Sequence, residues 1–291
     1  MTLTCRVLKL CRAQYYRWLA QPVSVADKVR EQRVAALRAA HNDDPQAGYR
    51  YLRDEAAAAG VVMCERTAWR LCSQHQLWSS YGKKRGTNGK RPGPAVHDDL
   101  LAHVDDHGRT RHDFITAANG INQVWLTDIT EHPTGEGKLY VCAVKDVFSN
   151  RIVGYAAAAH MGSALAVSAL NTAVARRHIH GHSVAGCIVH SDRGSQFRSK
   201  RYQRALSTHG LVGSMGRVAS AGDNAAMESF FSLLQRNVLN TKTWTSREEL
   251  TIAIITWIER RYHQRRRQKR LGRLTPLEYE TINKKAVSKA A

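Results

Sequence analysis

The chain is poor in acidic residues, in paired cysteines and in long apolar runs. It holds six cysteines among its 291 residues. None forms a CxxC pair, which argues against a zinc site built on thiolates. Cys142 and Cys187 sit inside apolar runs and read as small buried hydrophobes. No run of about 18 apolar residues occurs, so a membrane span is not expected. The opening residues carry no secretory signal pattern. A reducing cytoplasm is the expected location. Asp and Glu total 24 against 44 Lys and Arg, which leaves a formal net charge of +20 and a pI near 10.1. An excess that large implies a polyanionic partner, and nucleic acid is the commonest one.

The excess is unevenly spread. Residues 122–240 hold 12 Lys and Arg against 7 Asp and Glu, so most of the positive charge lies in the flanks. The middle of the chain is nearer neutral, and the flanks are expected to supply the phosphate affinity. The stretch ERRYHQRRRQKRLGR (259–273) carries eight cations and one Glu. Such a run is ordinarily a solvated face, but eight neighbouring cations repel one another unless something neutralises them. DNA is the obvious counter-charge. Lys83, Lys84, Arg85, Lys90 and Arg91 are further candidates for binding phosphate.

At this length about two domains are expected. Residues 1–80 read as helical. Leu8, Tyr15, Tyr16, Trp18 and Leu19 mark a first helix, and an amphipathic pattern covers 25–41. Asp43–Gln46, with Pro45, breaks that pattern. Gly48–Ala59 and Glu65–His75 are two more helices joined at Gly60. Helix, short glycine turn, helix is the layout of a helix-turn-helix. Arg66 and Arg70 are four apart, share a face of the third helix and are candidate DNA-binding residues; the bland reading is a helical hairpin with solvated arginines. Residues 81–115 begin with a Gly-, Lys-, Arg- and Pro-rich linker.

From residue 122 the rhythm becomes that of strands. Val124–Thr127, Leu139–Val147 and Ile152–Ala159 are expected strands, with turns at Glu136–Gly137 and Ser149–Asn150. Ala164–Arg177 is a helix, Cys187–His190 a fourth strand and Lys200–His209 a helix. Leu211–Ser214 is a short fifth strand. Asn224–Leu239 and Glu248–Arg266 are helices. Residues 116–240 are expected to form one unit and 241–291 a basic helical region.

Seven carboxylates fall in 122–240, and three of them stand apart. Asp128 follows a strand-like run in VWLTDITEH. Asp192 follows another in CIVHSDRGSQF. Glu228 lies in the first turns of the helix in AGDNAAMESFFSLLQ. Two strand-end aspartates and a helix-borne glutamate can meet at one edge of a sheet. Hard carboxylate oxygens in that arrangement suit a pair of Mg²⁺ or Mn²⁺ ions and phosphoryl transfer. Any one of them alone reads as a turn residue or helix cap. Glu131 is set aside as lying beyond its strand, and Asp223 as a helix cap. Asn224, one helical turn before Glu228, reads either as a cap or as a group that orients water or a phosphate. His190 reads as a packed histidine. The three histidines of RRHIHGHS (176–183) read as a surface loop.

These segments resemble the catalytic core of DDE transposases and retroviral integrases. The similarity is greatest to the second reading frame product of the bacterial insertion-sequence-three family. It is carried by NQVWLTDIT (122–130), YVCAVKDVFSNRIVGY (140–155), HSDRGSQF (190–197), SMGRVASAGDNAAMESFF (214–231) and LTPLEYE (274–280). It spans roughly 110–282, with a weaker match to the family's helix-turn-helix over about 25–80. The resemblance implies a ribonuclease H-like fold: a mixed five-stranded sheet flanked by helices, with first and fourth strands adjacent, preceded by an all-α region. It also implies Asp128 as a ligand shared by two ions, with Asp192 completing one site and Glu228 the other. Tyr262 and Arg266 occupy the family's places for a Tyr and a nearby Arg and are carried over as DNA-binding residues. His263 stands where the family often has Asn.

The function implied is metal-dependent cleavage at the ends of an insertion sequence, leaving a 3′-hydroxyl, and strand transfer into target DNA. A one-ended transfer that circularises the element, and homo-oligomers bridging two ends of double-stranded DNA, belong to the same implication. The first helix opens without a capping lead-in, which raises an upstream reading frame product, or a fusion to one, as a partner. The alternative is a catalytically idle DNA-binding regulator or partial transposase.

Overall fold

The computed structural model describes residues 2–7, 11–20, 23–79, 93–104, 110–112, 118–216 and 225–290. It divides into two compact units, 1–84 and 85–291. The first contains α1 (Thr2–Val7), α2 (Arg12–Ala20), α3 (Val25–Asp43), α4 (Tyr49–Ala58) and α5 (Glu65–Gln74). Ser24 caps α3 by accepting a hydrogen bond from the Asp27 N–H at 3.1 Å, with the Asp27 carboxylate in the first turn. The apolar stripes of α3, α4 and α5 meet around Leu37, Leu52, Ala56, Ala68 and Leu71. Each leucine fully buried there contributes roughly 2 kcal/mol.

The second unit opens with a hairpin that the sequence pattern does not announce, β1 (Ala102–Val104) and β2 (Thr110–His112). The main sheet follows: β3 (Val124–Thr134), β4 (Gly137–Asp146) and β5 (Ile152–Ala158), then α6 (Ser163–Ile179) and β6 (Ile188–Ser191). After α7 (Ser195–Arg198) and α8 (Lys200–Thr208) comes β7 (Val212–Met215). The strand order is β5-β4-β3-β6-β7. The β3–β4 and β4–β5 pairs are antiparallel, and the β3–β6 and β6–β7 pairs parallel. This is the ribonuclease H-like sheet, with the first and fourth of its strands adjacent as expected.

Each face of the sheet has its own core, set by strand periodicity. Val124 and Leu126 face one side and Trp125 the other. The Trp125 side is covered by α6 and α8. Gly154 allows α6 to lie against β5, because a Cβ there would stand 2.4 Å from the Ala169 carbonyl oxygen. The Leu126 side is covered by α9 (Ala225–Leu234), which continues as a π-helical turn through Leu239, and by α10 (Arg247–Thr256). A second π-helical turn, Trp257–Tyr262, extends α10. Helices after residue 240 therefore share the core of the sheet, through Trp244, Leu250, Ile254, Trp257 and Tyr262. The last helix, α11 (Pro276–Ala290), starts with a capping box. Thr275 Oγ1 accepts from the Glu278 N–H, and Glu278 accepts from the Thr275 N–H, with Pro276 in the first turn.

Contrary to the expectation from sequence, β3 does not stop at Thr127 but runs eleven residues to Thr134. Asp128 and Glu131 are therefore both inside the strand. What ends near Asp128 is its neighbour β6, whose ladder with β3 closes at Leu126↔His190.

Candidate active site

The register of β3 and β6 brings the two aspartates together. Leu126 lies beside His190 in a parallel ladder, so two residues further on Asp128, still paired with β4, and Asp192, just past the end of β6, lie on adjacent chains. Parallel neighbours are about 4.8 Å apart. Asp128 shares the parity of Val124 and Leu126, so its side chain faces the side that carries α9. Glu228 is in the first turn of α9 and is exposed. Burial raises the Asp128 carboxyl to about 7, and the charges of Asp192 and then Glu228 add to that rise. The Ile129 N–H, 2.7 Å from Oδ1, acts in the opposite sense and orients the carboxylate. The charges of Asp192 and Glu228 are thus both felt at Asp128, beside the place where β6 ends.

Backbone devices hold these acids in place. Asp192 is open to solvent as a residue, yet protein atoms crowd its carboxyl and raise it; the Gly194 N–H at 2.9 Å partly offsets this. A Cβ at Gly194 would come within 2.9 Å of Asp192 Oδ1 and 2.2 Å of Gln196 Nε2, which explains a glycine there. Arg193 ties the same turn to the end of β7, its Nε donating to the Gly216 carbonyl at 2.8 Å. Lys145 was missed by the sequence reading. It is buried in β4, and its Nζ donates to the Ala226 carbonyl at 3.1 Å, two residues before Glu228. Burial lowers this amine to about 7. A lone cation in the apolar run YVCAVKDVF was the available signal.

The expected DNA-binding residues fall into different groups. Arg66 and Arg70 are both exposed on α5. Lys83, Lys84, Arg85, Lys90, Arg91, Asp223 and Asn224 lie outside the described residues. Tyr262 is corrected: it is 2% exposed and packs on Phe230 and Trp257. Its hydroxyl donates to the Asn150 carbonyl at 2.9 Å. The π-helical turn points the ring inward, so it is a core residue and offers DNA no surface. Arg266 is half-buried nearby. His263 is fully buried, accepting from the Ile152 N–H at Nε2 and facing Glu259 through Nδ1. Burial lowers its pKa, and accepting at Nε2 requires the neutral ring. Glu131 pairs with Lys138 at 2.7 Å on the opposite side of β3 from Asp128, which rejects it on better grounds than strand length. His190 is packed, 1% exposed, with Nδ1 2.9 Å from Ser214 Oγ.

Two models of the integrase core domain match residues 118–221 and 209–276. The chain is 32% identical over 283 residues to the transposase InsF of insertion sequence IS3A from Escherichia coli, covering 96% of this chain and 93% of that protein. The chain belongs to the IS3-family transposases. A 31 kDa protein of insertion element IS600 from Shigella sonnei is 31% identical to this transposase family member over 274 residues, covering 94% of this chain and 95% of that one. Among solved structures, the HTLV-2 integrase catalytic core in complex with magnesium is similar over 56% of this chain and 99% of that one. The identity is 16% and the TM-score 0.42.

The donor set at Asp128, Asp192 and Glu228 fits hard divalent cations. All three donors are carboxylates, and the groups that shift Asp128 include two acids and no base. Among the described residues no helix is long and apolar enough to cross a membrane.

Proposed function

We propose that Asp128, Asp192 and Glu228 hold a pair of Mg²⁺ or Mn²⁺ ions with which this polynucleotidyl transferase cleaves and joins DNA strands. Transposition and DNA integration follow from membership of the IS3-family transposases with an integrase core. The observation that carries the metal reading is that Asp128 and Asp192 lie on neighbouring chains where β6 ends, and that the charges of Asp192 and Glu228 both reach the Asp128 carboxyl. Two such ions activate water or a 3′-hydroxyl and relieve charge at the leaving oxygen. Asp128, Asp192 and Glu228 are the residues that would hold the ions, with Asp128 the one that the family resemblance implies would be shared between them. The Ile129 and Gly194 N–H groups fix the two aspartates, and Lys145 fixes the turn that bears Glu228.

The substrate is double-stranded DNA: the element's terminal repeats, then a target. The chain acts as a homo-oligomer on that DNA, and an upstream reading frame product is a further partner. Residues 1–80 act as a helix-turn-helix DNA-binding region with Arg66 and Arg70 toward DNA, and 81–115 as a basic linker. The catalytic core, expected over 116–240, also takes in the helices from Trp244 to Tyr262 that pack on its sheet, and the basic run of 259–273 adds phosphate affinity. The catalytically idle alternative is not favoured, since the chain matches transposases along nearly its whole length and retains all three acids.

The test is cleavage and strand transfer on labelled element-end DNA with Mg²⁺ or Mn²⁺, comparing wild type with Glu228→Gln. Activity abolished in the variant while DNA binding persists supports the reading. Activity that survives Glu228→Gln overturns the assignment.

A further inference from the structure

Outside the carboxylate site, one other group of ligating side chains comes together. Among the described residues, Asp99, His112 and His190 each offer a ligand atom, and these atoms lie within 4.8 Å of one another. All three side chains are largely shielded from water. His112 is 3% and Asp99 12% exposed, and His190 is 1% exposed. His112 Nε2 is 3.0 and 2.9 Å from the two Asp99 oxygens. The two imidazole rings stand 5.4 Å apart.

We propose that Asp99, His112 and His190 form a second metal site, separate from the carboxylate centre, that takes Zn²⁺. Two imidazoles and one carboxylate are three ligands of the types zinc uses, with room for water as a fourth. Donors about 2.0 Å from a tetrahedral zinc stand about 3.3 Å apart. The His112–Asp99 spacing needs only a small opening to reach that, and His190 a small swing.

Neighbouring hydrogen bonds suit the role. Ser214 Oγ accepts from the Leu100 N–H at 3.0 Å and lies 2.9 Å from His190 Nδ1. An oxygen with two lone pairs can accept from both, and the Nδ1–H tautomer of His190 would leave its Nε2 lone pair free for the metal. The Met215 N–H donates to the Asp98 carbonyl at 3.2 Å, so the segment bearing Asp99 already lies along the edge strand β7. The ion clamps the β1–β2 hairpin and the segment before it onto β6, two residues from Asp192. Asp99 and His112 thereby gain a purpose in a region otherwise read as linker.

The experiment uses the full chain carrying Asp128→Asn and Glu228→Gln, so that the carboxylate centre does not compete. It is equilibrated with Zn²⁺, passed through gel filtration and assayed for metal; Co²⁺ replaces Zn²⁺ for spectroscopy. Retained equimolar zinc and a tetrahedral cobalt spectrum are expected, both abolished by His112→Ala or Asp99→Asn. His112→Cys is the control against simple misfolding. It is expected to keep the metal and to add a thiolate-to-cobalt charge-transfer band. Folded parent protein that retains no zinc, zinc content unchanged in His112→Ala, or a His112→Cys spectrum without the thiolate band overturns the site.

Discussion

Two groups of acids sit on opposite faces of the same sheet, and they are treated in opposite ways. Asp146, at the end of β4, pairs across to Trp125 and faces the side covered by α6. There Arg177 of α6, 2% exposed, reaches both Asp146 at 3.2 Å and Glu280 of α11 at 2.7 and 3.0 Å. Arg151 and Ser149 also donate to Glu280, at 2.8 and 2.7 Å. Burial by itself would raise Glu280, but Arg177 and then Arg151 bring it down to about 2. Asp146 is sealed from water and receives a single long hydrogen bond from Arg177, so burial wins and its carboxyl is raised. On the other face the charged groups felt at Asp128 are two acids, Asp192 and Glu228, and its one opposing influence is the Ile129 N–H. Acids that the fold supplies with arginines hold helices to the sheet. Of two carboxylates on one strand pair, Asp146 thus serves architecture and Asp128 carries the proposed chemistry.

That contrast can be broken from either side. The largest effect is expected from Asp128→Asn. Cleavage and strand transfer should fall by at least roughly 10²-fold to 10³-fold, while the metal-free melting temperature stays level or rises, because a repelling charge has gone. A fall in melting temperature would make Asp128 a structural acid like Asp146. Arg177→Met should do the reverse. It leaves Asp146 and Glu280 buried without their partner, at about 3–5 kcal/mol in denaturant unfolding, with activity per folded molecule retained. Next comes Gly154→Ala, where the new methyl collides with α6; overpacking of this kind costs about 1–3 kcal/mol, and chemical unfolding reads it directly.

The pH dependence has a defined sign. Glu280 has its folded pKa lowered to about 2 from an ordinary 4.5. Its contribution to stability is complete above the unfolded value and is lost as pH falls through the window from about 4.5 to about 2. Melting curves taken down that range should drop for wild type and flatten in Glu280→Gln. The smallest expected change is at the DNA-binding arm. Arg66→Ala or Arg70→Ala should weaken DNA binding modestly and lower the salt slope by about one unit for each phosphate left unneutralised. An unchanged slope removes that arginine from the interface.

Much of the sheet was legible because its strands alternate or run apolar in ways the period-2 pattern exposes, and the β3–β6 adjacency followed from the strand order. The length of β3 was not. Beyond Asp128 it has β4 on one side only, so its polar residues Thr130 and His132 and its Pro133 look like loop. A proline is tolerated there because the strand has become an edge. The β1–β2 hairpin was missed because strands of three residues carry no usable period. Tyr262 misled for a tertiary reason: it sits in a run of cations, but a π-helical turn rotates it into the core against Phe230. Arg177 read only as the end of a helix, and it is a glutamate 103 residues away that makes it a core residue. Of the carboxylates, residue type and spacing were readable in the sequence, while the choice of face came only with the register.

The most direct test of the central claim, that Asp192 and its neighbours hold the metal, is DNA cleavage by Asp192→Cys with Mg²⁺ and with Mn²⁺. Thiolate is a poor ligand for Mg²⁺ and a better one for the softer Mn²⁺. The account predicts cleavage abolished with Mg²⁺ and substantially recovered with Mn²⁺. Cleavage unchanged with Mg²⁺, or the same loss with both ions, would contradict it.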